Sequence, residues 1–116
     1  MYLASAESLA MLEVMVHLDD YRLLTHYALL EVTIPENALM RLPADSLPED
    51  WMEEPAPAST AEIGDSWLES QSSLALVVPS VVVPRETNYL INPSHSYFQA
   101  LADSAREVSF TPDKRL

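Results

Sequence analysis

The 116-residue chain has no cysteine, a single glycine (Gly64) and only 6 Lys and Arg against 18 Asp and Glu. The absence of cysteine excludes disulfide scaffolds, iron–sulfur clusters and thiolate zinc sites. A lone glycine excludes a glycine-rich phosphate loop. The formal charge of -12 weighs against direct nucleic-acid or anionic-membrane binding, since phosphate contacts need Lys and Arg. No apolar run approaches the roughly 20 residues of a membrane span. The N-terminus also lacks the basic start of a signal peptide. What is present is 48% hydrophobic residues, enough to bury one modest core and too many for a disordered acidic tail. The expectation is a soluble globular domain acting in the cytoplasm, with no membrane contact.

The periodicity predicts an α+β fold, helices packed on a small, strongly apolar sheet. A first helix is expected from Ser5, as cap, to Leu18; its apolar residues cover nearly the whole circumference, as in a buried helix. Tyr27–Ile34 alternates with period two and reads as a half-buried strand ending at Pro35. Residues 35–59 hold five of the nine prolines and read as a surface excursion with a helical turn near Leu47–Trp51. Leu39, Leu42, Leu47 and Trp51 are expected to pack it back on the domain. A second helix is predicted from a Ser59 or Thr60 cap to about Ser70, with Ile63, Trp67 and Leu68 on its apolar face. The run Leu74–Pro84 is too β-branched for a comfortable helix and reads as one buried strand bent at Pro79. Asn88–Ile91 form another strand and Asn92-Pro93 a turn. A third helix from Ser96 turns Tyr97, Phe98, Leu101 and Ala102 inward, and Glu107–Thr111 form a closing strand.

Two residues stand out against their surroundings. Glu13 is the only ionisable side chain between Leu9 and Val16, so on an apolar helix it must pair, protonate or line a cavity. It either escapes at the helix edge, pairs with His17 at i+4, or is held beside a ligand pocket. Ser80 is one hydroxyl inside Val77-Val78-Pro79-Ser80-Val81-Val82-Val83. It either satisfies a backbone carbonyl or presents its hydroxyl to a ligand. Nothing around it resembles a nucleophile elbow. His17, His26 and His95 lack metal-ligand spacing, and the acidic residues of 45–54 lack a calcium-loop pattern, so no metal is expected. The aromatic residues Trp51, Trp67, Tyr89, Tyr97 and Phe98 read as core.

Five words occur in order over residues 2–98. They are Tyr2-Leu-Ala-Ser-Ala-Glu-Ser-Leu-Ala-Met-Leu-Glu13-Val-Met-Val-His17-Leu18, Leu47-Pro-Glu-Asp-Trp51, Gly64-Asp-Ser-Trp67-Leu68, Val78-Pro-Ser80-Val-Val-Val-Pro84 and Asn88-Tyr-Leu-Ile-Asn92-Pro93-Ser-His95. Together they resemble the RES domain family, named for an arginine, a glutamate and a serine. The resemblance puts the glutamate on Glu13 and the serine on Ser80.

It implies an ADP-ribosyltransferase-like fold and a toxin of a bacterial toxin–antitoxin pair. It further implies attack on NAD as substrate, with phosphate or a protein side chain as acceptor. Glu13 and Ser80 would then be the catalytic pair, Glu13 stabilising an oxocarbenium-like state and Ser80 holding the nicotinamide ribose or amide. Tyr2 would pack on the nicotinamide ring, and Asn88 would contact the substrate. Asn92 and His95 stay open between ligand and turn roles. The implied partner is a helix-turn-helix antitoxin of the Xre type, and a homo-oligomer is left open.

The family's arginine lies in a glycine-containing segment before the tyrosine, whereas this sequence opens at Met1-Tyr2. Residues 1–116 are therefore expected to form a single RES-like domain incomplete at its N-terminus. The alternative functional expectation is a catalytically inactive module that only binds an antitoxin-like partner. Without the resemblance, an α+β interaction domain with an acidic loop would remain.

Overall fold

The computed structural model describes residues 1–116. In chain order it forms β1 (Tyr2–Ala4), α1 (Glu7–Met15), β2 (Leu29–Glu31), β3 (Leu39–Arg41), α2 (Ala58–Ser70), β4 (Ala75–Pro79), β5 (Thr87–Ile91), α3 (Phe98–Asp103) and β6 (Arg106–Val108). Short 3-10 turns cover Tyr21–His26, Glu36–Ala38 and Ala44–Ser46. The class is α+β, as the periodicity predicts.

Four strands form a sheet in the order β1-β5-β4-β3, antiparallel except for the β3–β4 pair, while β2 and β6 make a separate antiparallel ribbon. The β-branched run supplies the sheet's centre, because a strand with neighbours on both edges buries its backbone and both faces. Opposed residues share a face. The pairs Tyr2↔Leu90, Leu76↔Leu90 and Val78↔Asn88 therefore place Tyr2, Leu76, Val78, Asn88 and Leu90 on one side. The other side carries the core: Ala38, Leu74, Ala75, Ile91 and Leu101, with Leu3, Val32, Ile34, Leu39, Tyr89 and Phe98 around them.

Several local expectations change. The first helix starts at Glu7, with Ala6 before it and no side-chain cap; Ser5 instead extends the sheet edge by donating its N–H to Thr87 O (3.2 Å). That helix ends at Met15, and only Leu9 on it is buried, leaving Leu12 and Val16 exposed. Apolar residues all around a helix do not bury it when the chain packs on one side only. The predicted strand Tyr27–Ile34 shrinks to Leu29–Glu31 with Leu30 exposed, although Val32 and Ile34 do point at the core.

Residues 35–59 contain β3, which periodicity missed because three residues between prolines are too few to show alternation. Leu39, Leu42, Leu47 and Trp51 are all partly buried, so the excursion packs back as expected.

The second helix begins at Ala58, after Pro57. Ser59 and Thr60 lie inside its first turn, Thr60 Oγ1 donating to Pro57 O (2.8 Å). Trp67 is buried and donates Nε1–H to Ser73 Oγ (2.9 Å). Gln71 ends this helix in the left-handed region (φ 55°). The predicted Leu74–Pro84 strand stops at Pro79, and the third helix starts at Phe98. Tyr97 and Ala102 are exposed, not inward, while Phe98 and Leu101 reach the core. The closing strand is Arg106–Val108, set by pairing with β2. No helix is long and apolar enough to cross a membrane.

Candidate active site

The site forms where β4 ends. Proline has no N–H for a ladder, so Pro79 sits at the last register position, opposite Thr87. Ser80 follows, fully buried, and the chain folds around its hydroxyl. Ser80 Oγ accepts the N–H groups of Val82 (3.1 Å) and Val83 (3.0 Å). Its backbone N–H donates to Glu86 O (2.9 Å), and Glu86 N–H donates to Val83 O (2.9 Å). Two apolar residues that would extend a strand are thereby bent into a loop by a serine that supplies their acceptor.

The same hydroxyl donates its proton to Glu13 Oε1 at 2.7 Å. A serine hydroxyl has one proton and two lone pairs, so this bond and the two accepted amides use its whole capacity. All three of its side-chain bonds in this structure go to the protein itself. Asn88, also fully buried, donates Nδ2–H to the same Glu13 oxygen at 2.6 Å and to the Tyr2 hydroxyl at 2.7 Å. A carboxylate only accepts, so the amide nitrogen has to face it, and Asn88 Oδ1 is left enclosed without a partner.

The sheet register explains the convergence. Asn88 stands opposite Ala4 on one edge and Val78 on the other, so Tyr2 and Ser80 are its diagonal neighbours on one face. Glu13 reaches this row from the last turn of α1.

Glu13 is half-buried and makes no ion pair with His17, so neither bland expectation for it holds. Its Oε1 takes two short, charge-assisted hydrogen bonds, while Oε2 makes none and is not enclosed. One oxygen is thus fixed by the protein and the other is free to face a ligand. Burial pushes the Tyr2 phenol above its ordinary value, the Glu13 carboxylate adds to the shift, and the Asn88 hydrogen bond pulls the other way. The phenol accordingly keeps its proton at neutral pH.

A cavity of about 530 Å³ opens beside this cluster. Tyr2, Val78 and Val81 border it on the cluster side, and Trp51, Ile63 and Trp67 form the far wall. Its lining is mostly apolar with few polar groups, which suits a flat ring with the polar cluster at one end. A second cleft, about 540 Å³, lies between β1, the start of α1 and the β2 ribbon. Both cavities take only Tyr2 from the cluster itself, but the first is also lined by Pro79 and Val81, the chain neighbours of Ser80, and so lies at the Ser80 end of the cluster.

Tyr2, Glu13, Ser80 and Asn88 are therefore brought together. Asn92 and His95 are not: Asn92 Oδ1 accepts Ser94 N–H (3.0 Å) and His95 Nδ1 accepts Tyr97 N–H (3.1 Å), which are local turn bonds. No group of three or more His, Asp or Glu converges as a metal site would require. The cavity walls from Trp51 and Ile63, and the two valine amides that orient Ser80, had no sequence signal beyond ordinary core or strand pattern.

The fold and site define an α+β protein of ADP-ribosyltransferase-like architecture with a clamped glutamate at the end of a central strand. The chain belongs to the RES domain family, whose model matches residues 1–113. It is 47% identical over 115 residues to the protein named Toxin Res of Yersinia enterocolitica serotype O:8, covering 99% of this chain and 76% of that one. It is 45% identical over 116 residues to Toxin Res of Photorhabdus laumondii, covering 99% and 74%. The Prs ADP-ribosylating toxin of a Sphingobium species is 41% identical over 97 residues, covering 81% of this chain and 60% of that toxin.

Proposed function

We propose that this chain is a RES-type toxin that cleaves NAD at the nicotinamide–ribose bond, with Glu13 as its catalytic carboxylate. Membership of the family and the names of the relatives, Toxin Res and Prs ADP-ribosylating toxin, support the class. The observation that carries the reaction is the convergence of Ser80 and Asn88, 67 and 75 residues away in sequence, on one oxygen of Glu13.

In the proposed step the bond from ribose C1′ to the nicotinamide nitrogen breaks and its electron pair leaves with nicotinamide, which departs neutral. Positive charge develops at C1′ and the ring oxygen, and Glu13 Oε2, held on the open side, stabilises it. An acceptor oxygen, from phosphate or a protein side chain, then bonds to C1′ and cancels its charge, any proton on that oxygen passing to the Glu13 carboxylate. Ser80 contributes by holding Glu13, and the protonated Tyr2 packs its ring on nicotinamide. Residues 1–116 act in this reading as a single RES-like domain working in the cytoplasm, where NAD is available. The partner is a helix-turn-helix antitoxin of the Xre type, and the charge of -12 suits a more basic protein surface.

The test is release of nicotinamide from NAD by the purified chain, with and without phosphate. Wild type is expected to release it, and Glu13→Ala to be slower by on the order of 100-fold or more. Equal rates would remove Glu13 from the mechanism. NAD left intact by a chain that still co-purifies with the antitoxin would favour the inactive binding module.

A further inference from the structure

We infer that Asn88 is a positioning residue that fixes Glu13 and Tyr2 relative to one another and makes no contact with the substrate. The inference rests on the proposed NAD-cleaving role of this site.

Asn88 is 0% exposed, both Nδ2 hydrogens are committed, and Oδ1 is enclosed, so no atom of its side chain is offered to a ligand. Stability does not explain its presence. Asparagine is disfavoured in strands, and an enclosed carbonyl without a partner is destabilising. A branched apolar residue between Thr87 and Tyr89 would suit β5 better.

What asparagine alone supplies there is one nitrogen that donates to two acceptors at once, joining residue 2 to residue 13 through residue 88. Without it Glu13 Oε1 keeps only the Ser80 bond, and the carboxylate is free to rotate. The Tyr2 ring, half-exposed on an edge strand, has no other side-chain hydrogen bond to hold it. Both consequences disorder the reacting geometry, while the walls from Trp51, Ile63 and Trp67, which carry most of the apolar contact, stay in place.

The test compares Asn88→Ala and the isosteric Asn88→Asp with wild type in NAD turnover. For a positioning residue kcat falls by about 10–100-fold, the loss expected for a charge-assisted hydrogen bond. KM then stays within about threefold. The Asn88→Asp loss eases as pH falls, because a protonated carboxyl can again donate to Glu13. A KM raised about tenfold with kcat preserved would show that Asn88 touches substrate, and would overturn the inference.

A second readout needs no activity. Ultraviolet titration of the phenols, wild type against Tyr2→Phe, isolates Tyr2. Asn88→Ala removes the bond that holds Tyr2 ionisation down and should move it to higher pH, whereas an unchanged titration overturns the inference. If the alanine variant does not fold, the aspartate variant carries both readouts in the same direction. If wild type leaves NAD intact, the functional reading fails and the phenol titration alone decides for Asn88.

Discussion

Ser80 divides the apolar run between Leu74 and Pro84 into two halves, both ending in proline, of which the C-terminal one is the richer in β-branched residues. On its N-terminal side Leu74, Ala75, Leu76 and Val77 are buried, in or beside a strand with neighbours on both edges. On the C-terminal side Val81 is 46% exposed and Val82 and Val83 lie in a loop. The two halves differ in where their backbone groups go. The first finds two strands to pair with, while the second finds a serine hydroxyl that satisfies two amides at once. β-branched composition sets a preference for extended backbone, but the available partner decides whether a strand forms. The junction between the halves is also where the proposed catalytic carboxylate is anchored. A rigid strand end and a loop folded on one hydroxyl together hold Glu13 more firmly than a loop alone would.

Three substitutions test the contrast, in decreasing order of effect on stability. Leu74→Ala empties a buried position in the core cluster and is expected to cost about 2–5 kcal/mol, read by urea denaturation. A much smaller loss would mean that the first half is less tightly packed than its burial indicates. Ser80→Ala removes the acceptor for Val82 and Val83 and is expected to cost about 1–3 kcal/mol. The same change leaves Glu13 Oε1 with a single donor, so NAD turnover should drop on the order of 10–100-fold. Lost stability with full turnover would separate the loop from the chemistry. Val81→Ser, in the exposed half, should change stability by less than about 0.5 kcal/mol. Because Val81 borders the cavity, its effect should appear in KM, and a large loss of stability would erase the contrast between the halves.

The site was more legible in sequence than the fold around it. Glu13 and Ser80 each break an apolar pattern, and a local break is visible without knowing what lies across from it. Tyr2 and Asn88 carried no such mark and were reached through the family words. The elements with long patterns were placed well, among them β5 and the body of α2. Those defined by partners were not: β3 exists because Leu39–Arg41 lie beside β4, and α1 is mostly half-buried, with only Leu9 fully enclosed.

By itself, the sequence determined the α+β class, the two residues at odds with their neighbours and the words of the RES family that contain them. It could do so because propensity, periodicity and composition act within a few residues of each position. Only the tertiary structure decided that Ser80 and Asn88 share one oxygen of Glu13, that the other oxygen faces out, and that Val81–Val83 form a loop. The shared oxygen joins residues 67 and 75 positions apart, and the loop closes on Ser80 only because β4 ends there. These outcomes depend on strand register and on which groups remain for a buried backbone to bond with, and neither is written in any local stretch of the chain.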